Sequence, residues 1–207
     1  MENVLDVYHR PYDATRPVVC MDETPRQLIR QTREPIEAAP GRPAREDYEY
    51  ERCGVCNVFM ASEPLAGRRL TKVTESRTKV QWARFVQEIA EAYPDAKRIT
   101  LVMDNLNIHT AAALYETLPP AQAKALWDRF EFVYTPKHGS WLNMAEIELN
   151  VMIKQCLNRR IESIDTVRRE VTAWQARRDQ LNAKINWQFT ADDARIKLSR
   201  LYPTFES

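Results

Sequence analysis

The 207-residue chain has no apolar run approaching the ~18–20 residues needed to span a bilayer. Its opening, MENVLDVYHRPYD, is charged within the first few positions and lacks an apolar core, which argues against a secretory signal. A cytoplasmic location without a membrane partner is expected. Cysteine is scarce: four residues do not make a disulfide framework. The one CxxC, Cys53 and Cys56, has no second CxxC and no histidine pair nearby. It lies in a strand-like run, CGVCNVFMA, where residues three apart face opposite ways and are badly placed to share a metal. All four thiols are read as reduced, with Cys20 and Cys156 packed inside. An excess of charge is missing too, since 30 Lys and Arg against 29 Asp and Glu leave +1. Internal repeats and low-complexity segments are also absent.

What is present suits one domain with a real core and a small appendage: 44% hydrophobic and 29% charged residues. Charge is uneven along the chain. From Lys154 to Arg178 seven Lys and Arg stand against three acids, and from Arg26 to Arg45 five Arg stand against two Glu. Such stretches can hold phosphates or simply form solvated faces.

Residues 1–17 read as a lead-in, interrupted by Pro11 and Pro17. A buried strand is expected at 18–22, then a long polar excursion over 25–50 holding four of the twelve prolines. Strands at 53–61 and 68–76 follow, the second suited to a sheet edge. A helix at 79–93 would bury Val80, Ala83, Val86, Ile89 and Ala90. Then come a strand at 99–104, helices at 109–118 and 120–129, and the strand FEFVY at 130–134. Helices at 141–158, 163–182 and 190–200 complete the order. Three early strands with short connections predict an antiparallel meander, and the later strand–helix alternation predicts parallel additions. The fold class is therefore α/β: a ribonuclease-H-like mixed five-stranded sheet with helices on both faces, spanning 18–160, plus C-terminal helices over 161–207.

Three carboxylates stand out. Asp22 ends VVCMD, Asp104 ends ITLVMD, and TPKHGSWLNMAEIE opens a helix with Glu146. Strand-end anions placed side by side repel, and a divalent cation between them resolves the repulsion. Asp22 and Glu23 point to opposite sheet faces, so only one can serve a given site. On the last of these elements, Leu142, Ala145, Leu149, Met152 and Cys156 form an apolar stripe that Glu146 borders on one side and Glu148 on the other. Periodicity does not choose between them, although Glu146 shares its face with Asn143 and Asn150.

The segments VVCMDET, LVMDNLNIH and TPKHGSWLNMAEIE resemble the catalytic blocks of DDE transposases of bacterial insertion sequences related to mariner, with Asn143-Met-Ala-Glu146 matching that family's Asn-x-x-Glu. The resemblance implies Asp22, Asp104 and Glu146 as catalytic metal ligands for two Mg²⁺ or Mn²⁺ ions. It implies double-stranded DNA as substrate, held by a homodimer or with a partner polypeptide carrying a helix-turn-helix, because none fits ahead of Asp22. In that family the excursion after the first catalytic strand joins subunits and DNA ends, which implies such a role for 25–50. Candidate DNA contacts are Asn105, His109, Lys137, His138 and Asn143. His109 is equally suited to a helix cap, and Trp141 to the core. A structure-specific nuclease and a non-catalytic remnant that regulates transposition are the alternative functions.

Overall fold

The computed structural model describes residues 1–45, 47–137 and 139–202. Five strands form one sheet: β1 (Val18–Gln31), β2 (Tyr50–Glu63), β3 (Arg68–Thr74), β4 (Ile99–Met103) and β5 (Phe130–Tyr134), in the order β3-β2-β1-β4-β5. The first three are antiparallel, and β4 and β5 add in parallel. The edge position of β3 and the meander-then-parallel order match the expectation. This is the ribonuclease-H-like mixed sheet.

Helices cover both faces. On one, α2 (Lys79–Ala92), α3 (Ala111–Thr117) and α4 (Pro120–Asp128) pack against Val19, Met21, Leu101 and Met103. On the other, α1 (Glu2–Tyr8), α5 (Ala145–Met152), α6 (Ile164–Gln180) and α7 (Ala191–Lys197) close over Cys20, Val58, Met60 and Val102. Alternation along β1 is what splits Met21 from Cys20 and Asp22 from Glu23. β4 is apolar throughout because both of its faces are covered. Among the described residues, no helix is long and apolar enough to cross a membrane.

Several boundaries differ from expectation. The lead-in contains α1, whose Val4, Leu5, Val7 and Tyr8 are buried; Pro11 and Pro17 lie beyond its end and do not interrupt it. β1 runs on to Gln31, so the excursion shrinks to 32–49. Its arms meet through Ile36–Arg45 and Ala39–Arg42 bridges, and Arg160 clamps its base by donating to the Asp47 and Glu49 carbonyls. In α2 the buried face is Trp82, Ala83, Phe85, Val86, Ile89 and Ala90, with Val80 exposed. The helix expected at 141–158 is three pieces: a 3₁₀ turn (Ser140–Leu142), α5, and a π-turn (Ile153–Leu157). Cys56 is buried and Cys53 borders the same apolar cluster, because a bulge around Gly54, at φ +101°, breaks the two-residue alternation between them. Cys20 is buried, whereas Cys156 is only partly so.

Candidate active site

The site lies at the C-terminal end of β4. In the parallel pairing of β1 with β4, Cys20 sits opposite Val102, and the same register carried two residues further brings Asp22 beside Asp104. The ladder itself ends at the Cys20–Val102 pair, and Asp22 and Asp104 lie just past it, both half-buried. Burial raises the Asp22 carboxyl to about 7, and the negative charges of Glu23, Asp104 and Glu146 push the same way against a hydrogen bond from the Glu23 amide at 2.7 Å. Glu146 on α5 therefore lies near enough for its charge to act on Asp22.

Packing distinguishes Glu148 from Glu146. The Glu148 side chain is 0% exposed and bound by two guanidinium groups. Arg69 donates to it at 2.8 and 3.1 Å, and Arg178 at 2.9 and 3.2 Å. Burial alone would raise its carboxyl, but the two arginines outweigh that and hold it below the usual range. Arg69 also donates to the Gly67 and Ala183 carbonyls and pairs with Asp179. The Glu146 side chain has no ion-pair or hydrogen-bond partner among the described residues, and the residue is half-buried.

Two polar anchors hold the start of α5 against the sheet. Asn143 donates to the Met21 carbonyl at 2.8 Å and accepts from the Ala145 amide at 3.1 Å. Tyr8 donates to the Leu142 carbonyl at 2.6 Å and accepts from the Met144 amide at 3.4 Å. Asn143 was expected among the DNA contacts; at 1% exposed, with both ends of its amide engaged, it is a structural tie instead.

His109 is likewise buried, at 1% exposed, which removes it from any DNA-facing surface. Thr110, not His109, occupies the N-cap of α3. The imidazole stacks on Trp82 with ring centroids 5.5 Å apart. Its Nδ1 lies 2.8 Å from Asp104 Oδ1 and 3.0 Å from the Asp104 carbonyl, and only the carbonyl is in line as a hydrogen-bond acceptor. On the other side, Nε2 is 3.4 Å from Glu23 Oε2, and Arg77 is 3.5 Å from Glu23 Oε1. Burial would lower the imidazole pKa, but Asp104 and Glu23 together raise it to about 9.

The exposed rim mixes polar and apolar side chains. A cleft of about 260 Å³ is lined by Asp104, Asn105, Leu106, Thr135, Pro136, Lys137 and Ser140. Asn105 and Lys137 are solvent-facing there, as a phosphate contact requires; His138 lies outside the described residues. Trp141, expected in the core, is 44% exposed and meets Phe189 edge-on.

The donor set is all hard oxygen, which suits Mg²⁺ or Mn²⁺. Asp104 Oδ1 is a buried oxygen without a hydrogen-bond donor, and Asp22 is charged only at a cost, so both would gain from a cation. Among the described residues no three His, Cys, Asp or Glu side chains already converge at ligating distance. One Asp22 oxygen accepts from the Glu23 amide and one Asp104 oxygen lies beside His109 Nδ1, which leaves the second oxygen of each carboxylate for a cation. Glu23 on the α2 face, with the His109 pairing, was missed by sequence reasoning. The available signal was an acidic residue at an inward-facing parity, which demands a buried partner.

Comparison with known proteins adds three findings. The DDE superfamily endonuclease family matches residues 17–168. A comparison with curated protein sequences finds no match. Among solved structures, the chain is similar to the Mos1 mariner paired end complex with Mn (TM-score 0.57, 20% identity, covering 85% of this chain and 52% of that one). It is similar also to the Mos1 strand transfer complex (TM-score 0.58, 16% identity, covering 84% and 51%). The chain thus spans about half the length of the solved structures it matches.

Proposed function

The chain belongs to the DDE superfamily endonuclease family, and we propose that it is the catalytic domain of an insertion-sequence transposase, cutting DNA strands and joining the freed 3′-hydroxyl to target DNA. One observation supports the reading: Asp22 and Asp104 lie just past the last β1–β4 pair, the charges of Asp104 and Glu146 both act on Asp22, and Glu148 is tied away by Arg69 and Arg178.

Asp22, Asp104 and Glu146 would hold divalent ions, Mg²⁺ or Mn²⁺ and two in number, which when bound supply Lewis acidity at the scissile phosphate. The remaining work falls to the chain. Lys137 and Asn105 on the cleft rim orient the phosphate backbone. Asn143 and Tyr8 fix α5 so that Glu146 is presented without searching. Arg69 and Arg178 keep Glu148 from competing as a ligand. The DNA is double-stranded, and the hairpin at 32–49, with Ile36 and Tyr48 exposed, is a surface for a second subunit or a helix-turn-helix partner. The likeness in fold to a Mos1 transposase paired-end complex with a transposon end supports DNA as the partner. Action at the nucleoid, in the cytoplasm, follows from that substrate.

The test is plasmid nicking by the purified chain with Mg²⁺, Mn²⁺ or EDTA, beside Asp104→Asn. Metal-dependent nicking that the variant abolishes is the expected result. A well-folded chain that nicks with neither metal would instead be a DNA-binding regulator of transposition. Nicking without joining of 3′ ends to target would make it a structure-specific nuclease.

A further inference from the structure

Glu23 is a buried acid with an unusual environment. Its side chain is 0% exposed, and neither of its oxygens accepts a hydrogen bond. Its nearby cationic groups are Arg77, itself 43% exposed and 3.5 Å away, and His109 at 3.4 Å. A carboxyl group buried this deeply without a hydrogen bond is costly, and Arg77 and His109 are the groups placed to offset it. The imidazole beside it is fixed on every side. Trp82 stacks on its face, Tyr134 donates to its own backbone carbonyl at 2.9 Å, and its Nδ1 reaches both the carbonyl and the carboxylate of Asp104.

This geometry links two strands through one ring. Glu23 follows Asp22 on β1, and Asp104 ends β4, so His109 spans from the residue after one candidate ligand to the other candidate ligand itself. The link runs on the α2 face, where Trp82 stacks on the ring, opposite α5. A charged partner behind a metal-binding carboxylate sets that ligand's orientation.

We propose that His109 is a positioning residue for the metal site, held by Glu23 and Trp82 and acting through Asp104: the ring keeps one carboxylate oxygen of Asp104 beside Nδ1 and leaves the other oxygen for a cation. Glu23 is the anchor of the ring and not a ligand. The inference rests on the assignment of Asp104 as a ligand in the proposed function.

The two nitrogens can be separated by substitution. Asparagine at 109 retains a donor near the place of Nδ1, facing Asp104, and glutamine retains one near the place of Nε2, facing Glu23. Mn²⁺ binding to the DNA-free chain is measured by the electron paramagnetic resonance signal of free Mn²⁺, with thermal melting of each metal-free variant alongside. Expected results are an affinity within about threefold of the unaltered chain for His109→Asn, and at least a tenfold loss for His109→Gln, although both melt lower. Equal affinities for the two variants, or Mn²⁺ binding unchanged in His109→Gln, would overturn the proposal and leave His109 as a core residue that offsets Glu23. If neither variant folds, Glu23→Gln is read instead: weakened Mn²⁺ binding is expected, and unchanged binding overturns the proposal. An Asp104→Asn chain that binds Mn²⁺ as well as the unaltered one would defeat the assignment of the ligands, a result distinct from either.

Discussion

Asn143 Nδ2 donates to the Met21 carbonyl at 2.8 Å, pinning the turn before α5 to β1 one residue ahead of Asp22. The carbonyl end of the same amide accepts from Ala145, so one side chain both begins the helix and places it. Asn143→Ala leaves the Met21 carbonyl without this donor and the Ala145 amide without its acceptor. The expected loss is about 1–3 kcal/mol, or a melting temperature lower by roughly 5 °C. Cleavage should fall further than stability does, because Glu146 loses its placement. A variant that melts and cleaves like the unaltered chain would show that the tie holds nothing.

Glu146 and Glu148 should respond in opposite ways to the same chemical change. Glu146→Gln removes an unpartnered charge, so the melting temperature should hold or rise while metal-dependent nicking is lost. Glu148→Gln breaks a buried ion network and leaves Arg69 and Arg178 facing a neutral amide, costing about 3–5 kcal/mol. Melting curves beside nicking assays decide it; the reverse pattern would mean that the wrong carboxylate has been placed in the site.

Asp22 gives the metal-free chain a defined pH response. Its carboxyl is raised from 3.8 to about 7 in the fold. Below 3.8 both the folded and unfolded chains carry the proton, and this group costs nothing. As pH rises toward 7 the unfolded chain releases its proton first, so stability from this group falls, and above 7 the full penalty applies. A divalent cation offsets that penalty. Added Mg²⁺ should therefore raise the melting temperature more at pH 8 than at pH 5, and Asp22→Asn should flatten the metal-free profile between about pH 4 and 7. A Mg²⁺ shift of equal size at both pH values would count against Asp22 as a ligand.

Tyr8→Phe keeps the ring and removes only the hydroxyl that bonds Leu142 and Met144. The expected loss is about 1 kcal/mol of stability, with slower nicking at saturating metal. Nicking that recovers fully at higher metal concentration would place the effect on metal affinity and not on the set of α5.

Much of this was legible in the residues. Asp22 and Asp104 each close a run of apolar residues, and the strand order that makes those runs neighbours follows from hairpin-length and helix-length connections. Glu146 against Glu148 was not legible from periodicity, because both border the apolar stripe. The deciding partners, Arg69 in β3 and Arg178 in α6, are brought to Glu148 only by tertiary packing. Asn143 and His109 were misread for a related reason: a polar residue near a polar site looks solvent-facing until its partners, the Met21 carbonyl and Glu23, are known. Pro25 suggested that β1 had ended, yet the strand runs through it to Gln31, since tertiary pairing with β2 overrides the local preference.

The placement of α1 sets a rule for where this protein can be cut. The family match begins at residue 17, and a cloning boundary drawn there would discard Val4, Leu5, Val7 and Tyr8. Those side chains cover Cys20, Leu142 and Ala145, and Glu2 fastens to Arg195 on α7. A trimmed chain would present that apolar ground to solvent on the very surface from which Glu146 is hung, and insolubility after such trimming would say nothing about the chemistry.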